Sequence, residues 1–194
     1  MSCDLVAVGT SWGGLDALRV VLGGLPGDLD ACVVVAQHRG PGSHPTALRN
    51  LLGAVTPLRV VDADDKHPLR HGFVYLAPPD YHLLVEADHL ALTVDAHVAF
   101  SRPSIDVLFE TAGETFRERC VGVVLTGANA DGAHGLARIA ELGGAALVQD
   151  PDSSERAEMP RAAARAVPAA RVLPLAEIAP ALVELCGTGA RVTA

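Results

Sequence analysis

Three stretches of the chain, Leu5–Val8, Ala31–Gln37 and Cys120–Leu125, are apolar at nearly every position instead of every second one. A strand with alternating hydrophobicity hides one face. A strand without alternation has to be covered on both, as in a parallel sheet between layers of helices. The intervening segments carry helical spacing. Leu15, Leu18, Val21 and Leu22 form one apolar stripe. Ile105, Leu108, Phe109 and Ala112 form another, within a helix expected over Pro103–Arg117, where Ser101 or Arg102 precedes a proline suited to the first turn. Further helices are expected over Thr46–Leu52, Gly135–Leu142, Pro160–Val167 and Ile178–Cys186, and further strands over Leu58–Val61, Phe73–Ala77, Ala145–Val148 and Val172–Leu173. His82–Glu86 and His89–Val94 flank Ala87-Asp88 and read as a β-hairpin. The pattern specifies an α/β fold, a mainly parallel sheet flanked by helices with an inserted β-hairpin. At 194 residues the chain is read as one domain over 1–187, with a tail at 188–194 expected to fray.

Charge and cysteine usage narrow the function. A formal net charge of −8 argues against a general nucleic-acid partner, which needs cations to displace phosphate counterions. No apolar run reaches the ~18 to 20 residues of a membrane helix, so no membrane insertion is expected. Met1-Ser2-Cys3-Asp4 lacks the positive region of a signal peptide, and Cys3, Cys32, Cys120 and Cys186 show no paired spacing. Both features fit a cytoplasmic location without a disulfide framework or a zinc ribbon. His67 and His71 fall in a loop-like stretch containing Pro68, so no metal site is expected there, and nothing in the sequence demands a cofactor.

In a parallel sheet, chemistry collects at the carboxyl ends of the strands. Three loops there are unusual. Gly9-Thr10-Ser11-Trp12-Gly13 matches the Gly-x-Ser-x-Gly nucleophile elbow and stands between an expected strand and an expected helix. The same turn also admits a phosphate-binding reading, or the plain one of a strand-to-helix turn. His38 ends the second strand, where it would reach Ser11 across adjacent strands about 5 Å apart. Asp131, in Thr126-Gly127-Ala128-Asn129-Ala130-Asp131-Gly132, is either an N-cap of the following helix or the carboxylate that orients a catalytic histidine. Taken together the loops favour a Ser–His–Asp site, in an order unlike the Ser, Asp, His order of α/β-hydrolases. His134, three residues beyond Asp131, is the competing histidine, and its plain reading is a solvated helix residue.

Val6 to Gly14, Ala36-Gln37-His38, Ser101 to Phe109, Gly122 to Gly127 with Asp131-Gly132-Ala133, and Met159-Pro160-Arg161 together resemble the catalytic domain of the chemotaxis protein-glutamate methylesterases, the CheB family, from about Leu5 to Cys186. The resemblance implies Ser11 as nucleophile, His38 as base and Asp131 as orienting acid. It also implies γ-glutamyl methyl esters on the cytoplasmic helices of chemoreceptors as substrates, with deamidation of receptor glutamines as a further activity. Trp12, Arg39 and Ala128 are substrate or oxyanion-hole candidates. The first two depart from the threonine and methionine common in the family, and the third loop departs from its Gly-Met-Gly-Asn-Asp-Gly. Family members usually carry an N-terminal receiver domain, whereas this chain starts at the first esterase strand. Control by a receiver domain is therefore expected to be absent in cis, which leaves room for a receiver or scaffold protein acting in trans. The alternatives are a catalytically idle receptor-binding module and a nucleotide-binding domain built on the first glycine turn.

Overall fold

The computed structural model describes residues 3–39, 42 and 46–189. Its centre is a seven-stranded sheet with every pairing parallel. The strands are β1 (Leu5–Thr10), β2 (Cys32–Gln37), β3 (Arg59–Asp62), β5 (Phe73–Leu76), β8 (Cys120–Val124), β9 (Ala145–Gln149) and β10 (Arg171–Leu173). They lie in the order β10-β9-β8-β1-β2-β5-β3, so the three unbroken apolar runs become the three central strands β8, β1 and β2. Successive residues of these strands enter opposite cores. Val6, Val8, Val33 and Val35 face one, and Leu5, Ala7, Cys32 and Val34 face the other. This two-sided burial is the physical reason the runs do not alternate.

The first core is closed by α1 (Gly14–Gly23), α2 (Ala47–Gly53) and α6 (Leu175–Cys186). The second is closed by α3 (Ile105–Phe116), α4 (Ala133–Glu141) and α5 (Glu158–Ala166). The inserted hairpin is β6 (His82–Val85) with β7 (His89–Thr93), and β4 (His67–Pro68) joins it as a third antiparallel strand. The sequence reading missed β4 because a two-residue strand containing proline has no periodicity to detect. His67 packs edge-on against Tyr75 while His71 bonds the Asp30 carboxylate, so the two histidines serve separate partners. Thr188 bridges to Leu29 and the Gly189 amide donates to the Asp28 carbonyl, so the tail expected to fray is tied down at its start. Residues 190–194 lie outside the described residues. Among the described residues no helix is long and apolar enough to cross a membrane.

The helix expected from Pro103 begins two residues later. Ser104 is its N-cap, in extended geometry, and its hydroxyl accepts the Val107 amide. The first amides of α3 then find acceptors outside the helix: Ile105 and Asp106 donate to Asp131. An α-helix leaves these donors unsatisfied, and here the cap and a distant carboxylate supply what the chain before Ser104 does not.

Candidate active site

Parallel pairing sets the geometry of the site. Thr10 stands opposite Gln37 in the β1–β2 register, so Ser11 and His38 leave neighbouring strands side by side. The His38 amide donates to the Thr10 carbonyl at 3.1 Å, which extends the ladder to the edge. Ser11 is half-buried in a tight turn. Its amide donates to the Thr126 carbonyl at 3.0 Å and its carbonyl accepts the Gly14 amide at 3.0 Å. Gly13 follows with φ of 76°, a left-handed conformation that a side chain adopts only with strain, and a Cβ there would stand 2.6 Å from a Glu155 carboxylate oxygen.

His38 is fixed on its other side. Its Nε2 lies 2.7 Å from Asp131 Oδ2. The carboxylate also accepts the Ile105 amide at 2.7 Å, the Asp106 amide at 3.0 Å and the Ser104 hydroxyl at 2.9 Å. Burial pushes the Asp131 carboxyl upward, but the bonds from His38 and from the Ile105 and Asp106 amides outweigh it and hold the group below the usual carboxylate range. An ionised Asp131 is a pure acceptor, so the proton between it and His38 belongs to Nε2. Nδ1 is left as the basic nitrogen. Its neighbour is the Ser101 hydroxyl, at 3.4 Å. Among the described residues the Ser11 hydroxyl makes no hydrogen bond to His38. The strand register places the two residues at adjacent strand ends, one step past the Thr10–Gln37 pair.

The sequence reading allowed Asp131 as a cap of the helix that follows it. The structure corrects this: α4 is preceded by Gly132 at φ of 92°, and Asp131 caps the first turn of α3 instead. In return Asp106, on α3, accepts the Gly135 amide on α4 at 2.8 Å. The exchange needs the helices to approach closely, and Gly135 permits it, since a Cβ there would stand 2.5 Å from the Phe109 Cβ. Burial, together with the Asp131 charge, pushes the Asp106 carboxyl above its usual range. His134 is exposed and lines a surface cleft with Glu110, Glu114 and Arg138, away from the Asp131–His38 bond.

The other candidates separate. Trp12 is 59% exposed, with its indole N–H donating to Glu155 at 2.8 Å and the Arg156 guanidinium over its ring. Arg39 lines a cavity of ≈ 270 Å³ with His38, Asp80, Phe100 and Ser101, and its guanidinium donates to the Ala77 carbonyl. Ala128 is exposed on a different cleft, beside Arg161 and Arg165. Among the described residues neither the Trp12 nor the Ala128 amide has a backbone acceptor. The Glu155 carboxylate against the glycine turn also removes the attraction of that turn for phosphate, which weakens the nucleotide-binding reading. Sequence reasoning missed Ser101, Ser104, Glu155 and Arg156. Ser104, directly before the apolar stripe of α3, carried a readable signal as an N-cap. The other three carried none.

The family model described as CheB methylesterase matches residues 6–182. A protein of Leptospira interrogans named putative protein-glutamate methylesterase/protein-glutamine glutaminase is 42% identical over 186 residues, which cover 95% of this chain and 96% of that one. The protein-glutamate methylesterase FrzG of Myxococcus xanthus is 41% identical over 93% of this chain and 54% of its own length. The crystal structure of the Thermotoga maritima CheB methylesterase catalytic domain superposes with a TM-score of 0.91 at 31% identity, covering 95% of this chain and 100% of that one.

Proposed function

The chain belongs to the CheB methylesterase family, and from that premise we propose that Ser11, His38 and Asp131 hydrolyse γ-glutamyl methyl esters on the cytoplasmic helices of chemoreceptors. The observation that carries the assignment is the 2.7 Å bond from His38 Nε2 to a buried, ionised Asp131, on a strand end that the register sets beside Ser11. Ser11 Oγ attacks the ester carbonyl carbon as its proton passes to His38 Nδ1. Asp131 fixes the tautomer and stabilises the imidazolium. The amide of Trp12, the residue after Ser11, is the donor for the tetrahedral oxyanion, where one donor is worth roughly 3 to 4 kcal/mol in a well-studied protease. Collapse breaks the ester C–O bond, and the methoxide takes the proton from His38 and leaves as methanol. Water then attacks the acyl-enzyme by the same route, giving glutamate and free Ser11. With a γ-carboxamide in place of the ester, the leaving group is ammonia and the product is the same.

The enzyme works in the cytoplasm, where there is room for a receiver or scaffold protein to act on it in trans. The test is methanol release from a methylated chemoreceptor fragment. The parent protein releases it, and Ser11→Ala and His38→Ala each lower the rate by at least about 1,000-fold with unchanged circular dichroism. Near-parental release by Ser11→Ala contradicts the assignment.

A further inference from the structure

The wall of the site on the β5 side carries a feature that neither the packing nor the hydrolytic chemistry uses. Val98 and Ser101 close a two-residue hairpin loop, with the Ser101 amide donating to the Val98 carbonyl at 2.9 Å and the Val98 amide returning the bond at 3.2 Å. Both loop residues have positive φ, 49° at Ala99 and 62° at Phe100. Loops of this kind are built from Asn, Asp and Gly, because other side chains strain the backbone there. Phe100 gains no burial in return, being 102% exposed. Yet it lines the cavity that holds His38 and Ser101. The mount is firm. Arg102, the next residue but one, bonds the Asp80 carboxylate at 3.0 Å and the carbonyls of Val94 and Asp95 at 2.7 and 2.9 Å. Strain held at a firmly mounted, solvent-exposed ring beside a reactive histidine points to function and not to folding.

Resting on the hydrolytic reading of this site, we propose that Phe100 is a specificity-determining residue whose ring docks against an apolar side chain of an amphipathic α-helix that carries the ester. A cavity of ≈ 270 Å³ admits one side chain, so the backbone bearing it stays outside, over the rim. Two exposed aromatic rings belong to this end of the sheet: Phe100, in the cavity wall, and Trp12, the residue after Ser11. Trp12 leans on Glu155 and Arg156, beyond β9, whereas Phe100 stands with residues that follow β2 and β5. An extended peptide would instead seek an open strand edge, and the sheet edges are β10 and β3, several strands from the site. Separate apolar anchors at this end of the sheet fit the ridge of a helix, whose neighbouring side chains recur one turn apart.

The experiment compares the parent, Phe100→Gly and Phe100→Ala on two probes. One is a synthetic helical peptide with a single glutamate γ-methyl ester and leucines one turn to either side; the other is Nα-acetylglutamate γ-methyl ester amide. Glycine is at home at this φ, so Phe100→Gly melts no lower than the parent and a folding defect does not obscure the result. The ratio of kcat/KM on the helix to kcat/KM on the small ester is expected to fall about tenfold in both variants, through KM more than kcat. A ratio within about twofold of the parent overturns the proposal, as does a parent that hydrolyses the small ester at least as efficiently as the helix. A parent that hydrolyses neither probe refutes the hydrolytic reading itself, and the role of Phe100 falls with it.

Discussion

The first turns of α3 and α4 face each other, and each receives a carboxylate from the segment of the other. Asp131, just before α4, serves α3, and Asp106, within α3, serves α4. Both carboxylates are buried. They nevertheless shift in opposite directions, Asp131 down and Asp106 up. Burial pushes both upward, so the difference lies in the donors. Asp131 collects an imidazole N–H, a hydroxyl and two amides, whereas Asp106 has the Gly135 amide, smaller help from the Gly132 amide and His134, and the opposing Asp131 charge. The helix end that points at His38 is the one supplied with a full set of donors. The same local architecture thus yields a fixed anion beside His38 on one side and a structural cap on the other.

The comparison breaks most visibly at Asp131. Asn in its place offers one acceptor and turns an NH2 toward a donor. Asp131→Asn is therefore expected to lose about 10,000-fold in kcat/KM and about 2 to 4 kcal/mol in urea denaturation. Turnover within about tenfold of the parent would mean that the Asp131–His38 bond is not the one that matters. Ser104→Ala removes one donor to Asp131 and the cap of the Val107 amide, for about 1 kcal/mol and a loss of about three- to tenfold in turnover. A loss equal to that of Asp131→Asn would assign the anchoring to the hydroxyl and not to the helix amides.

The two carboxylates also carry opposite pH signatures. The depressed Asp131 contributes stability that is present above the ordinary carboxylate pKa and lost as the pH falls through its folded value. The raised Asp106 contributes stability at the acid end and loses it as the pH rises through its folded value. Asp106→Asn keeps an acceptor for the Gly135 amide and removes the charge. Its stability is expected within about 1 kcal/mol of the parent, with the acid-side advantage gone, when melts from about pH 4 to about pH 8 are compared. A steep loss of stability at neutral pH would show that the Asp106 charge is needed. Smallest of all is His134→Ala, on the exposed face of α4. A change within about 0.5 kcal/mol and about twofold in turnover is expected, and a collapse of activity would move the base away from His38.

Much of this was legible in the sequence, for definite reasons. The unbroken apolar runs at β1, β2 and β8 can be buried in few ways, and parallel pairing then brings the loops after them together. Ser11, His38 and Asp131 stood out as candidates because each lies in the loop that follows such a strand. The helix that Asp131 caps was not legible, because the carboxylate crosses to a turn 25 residues earlier in the chain, and spacing along one sequence does not encode that crossing. The start of α3 was misjudged for a related reason. Pro103 carries a first-turn signal, whereas Ser104 and the distant Asp131 supply the actual cap. Ser101 was read as part of a helix start and instead faces the reactive nitrogen.

That last point sets the decisive measurement. Two serine hydroxyls compete for His38 Nδ1: Ser11, which the strand register sets beside it, and Ser101, which stands 3.4 Å away. Reaction with a serine-directed fluorophosphonate, followed by peptide mapping of the parent, Ser11→Ala and Ser101→Ala proteins, separates them. The adduct is expected on the peptide containing Ser11, absent from Ser11→Ala and retained in Ser101→Ala. An adduct on Ser101, or labelling that survives Ser11→Ala, would contradict the assignment of Ser11 as the nucleophile.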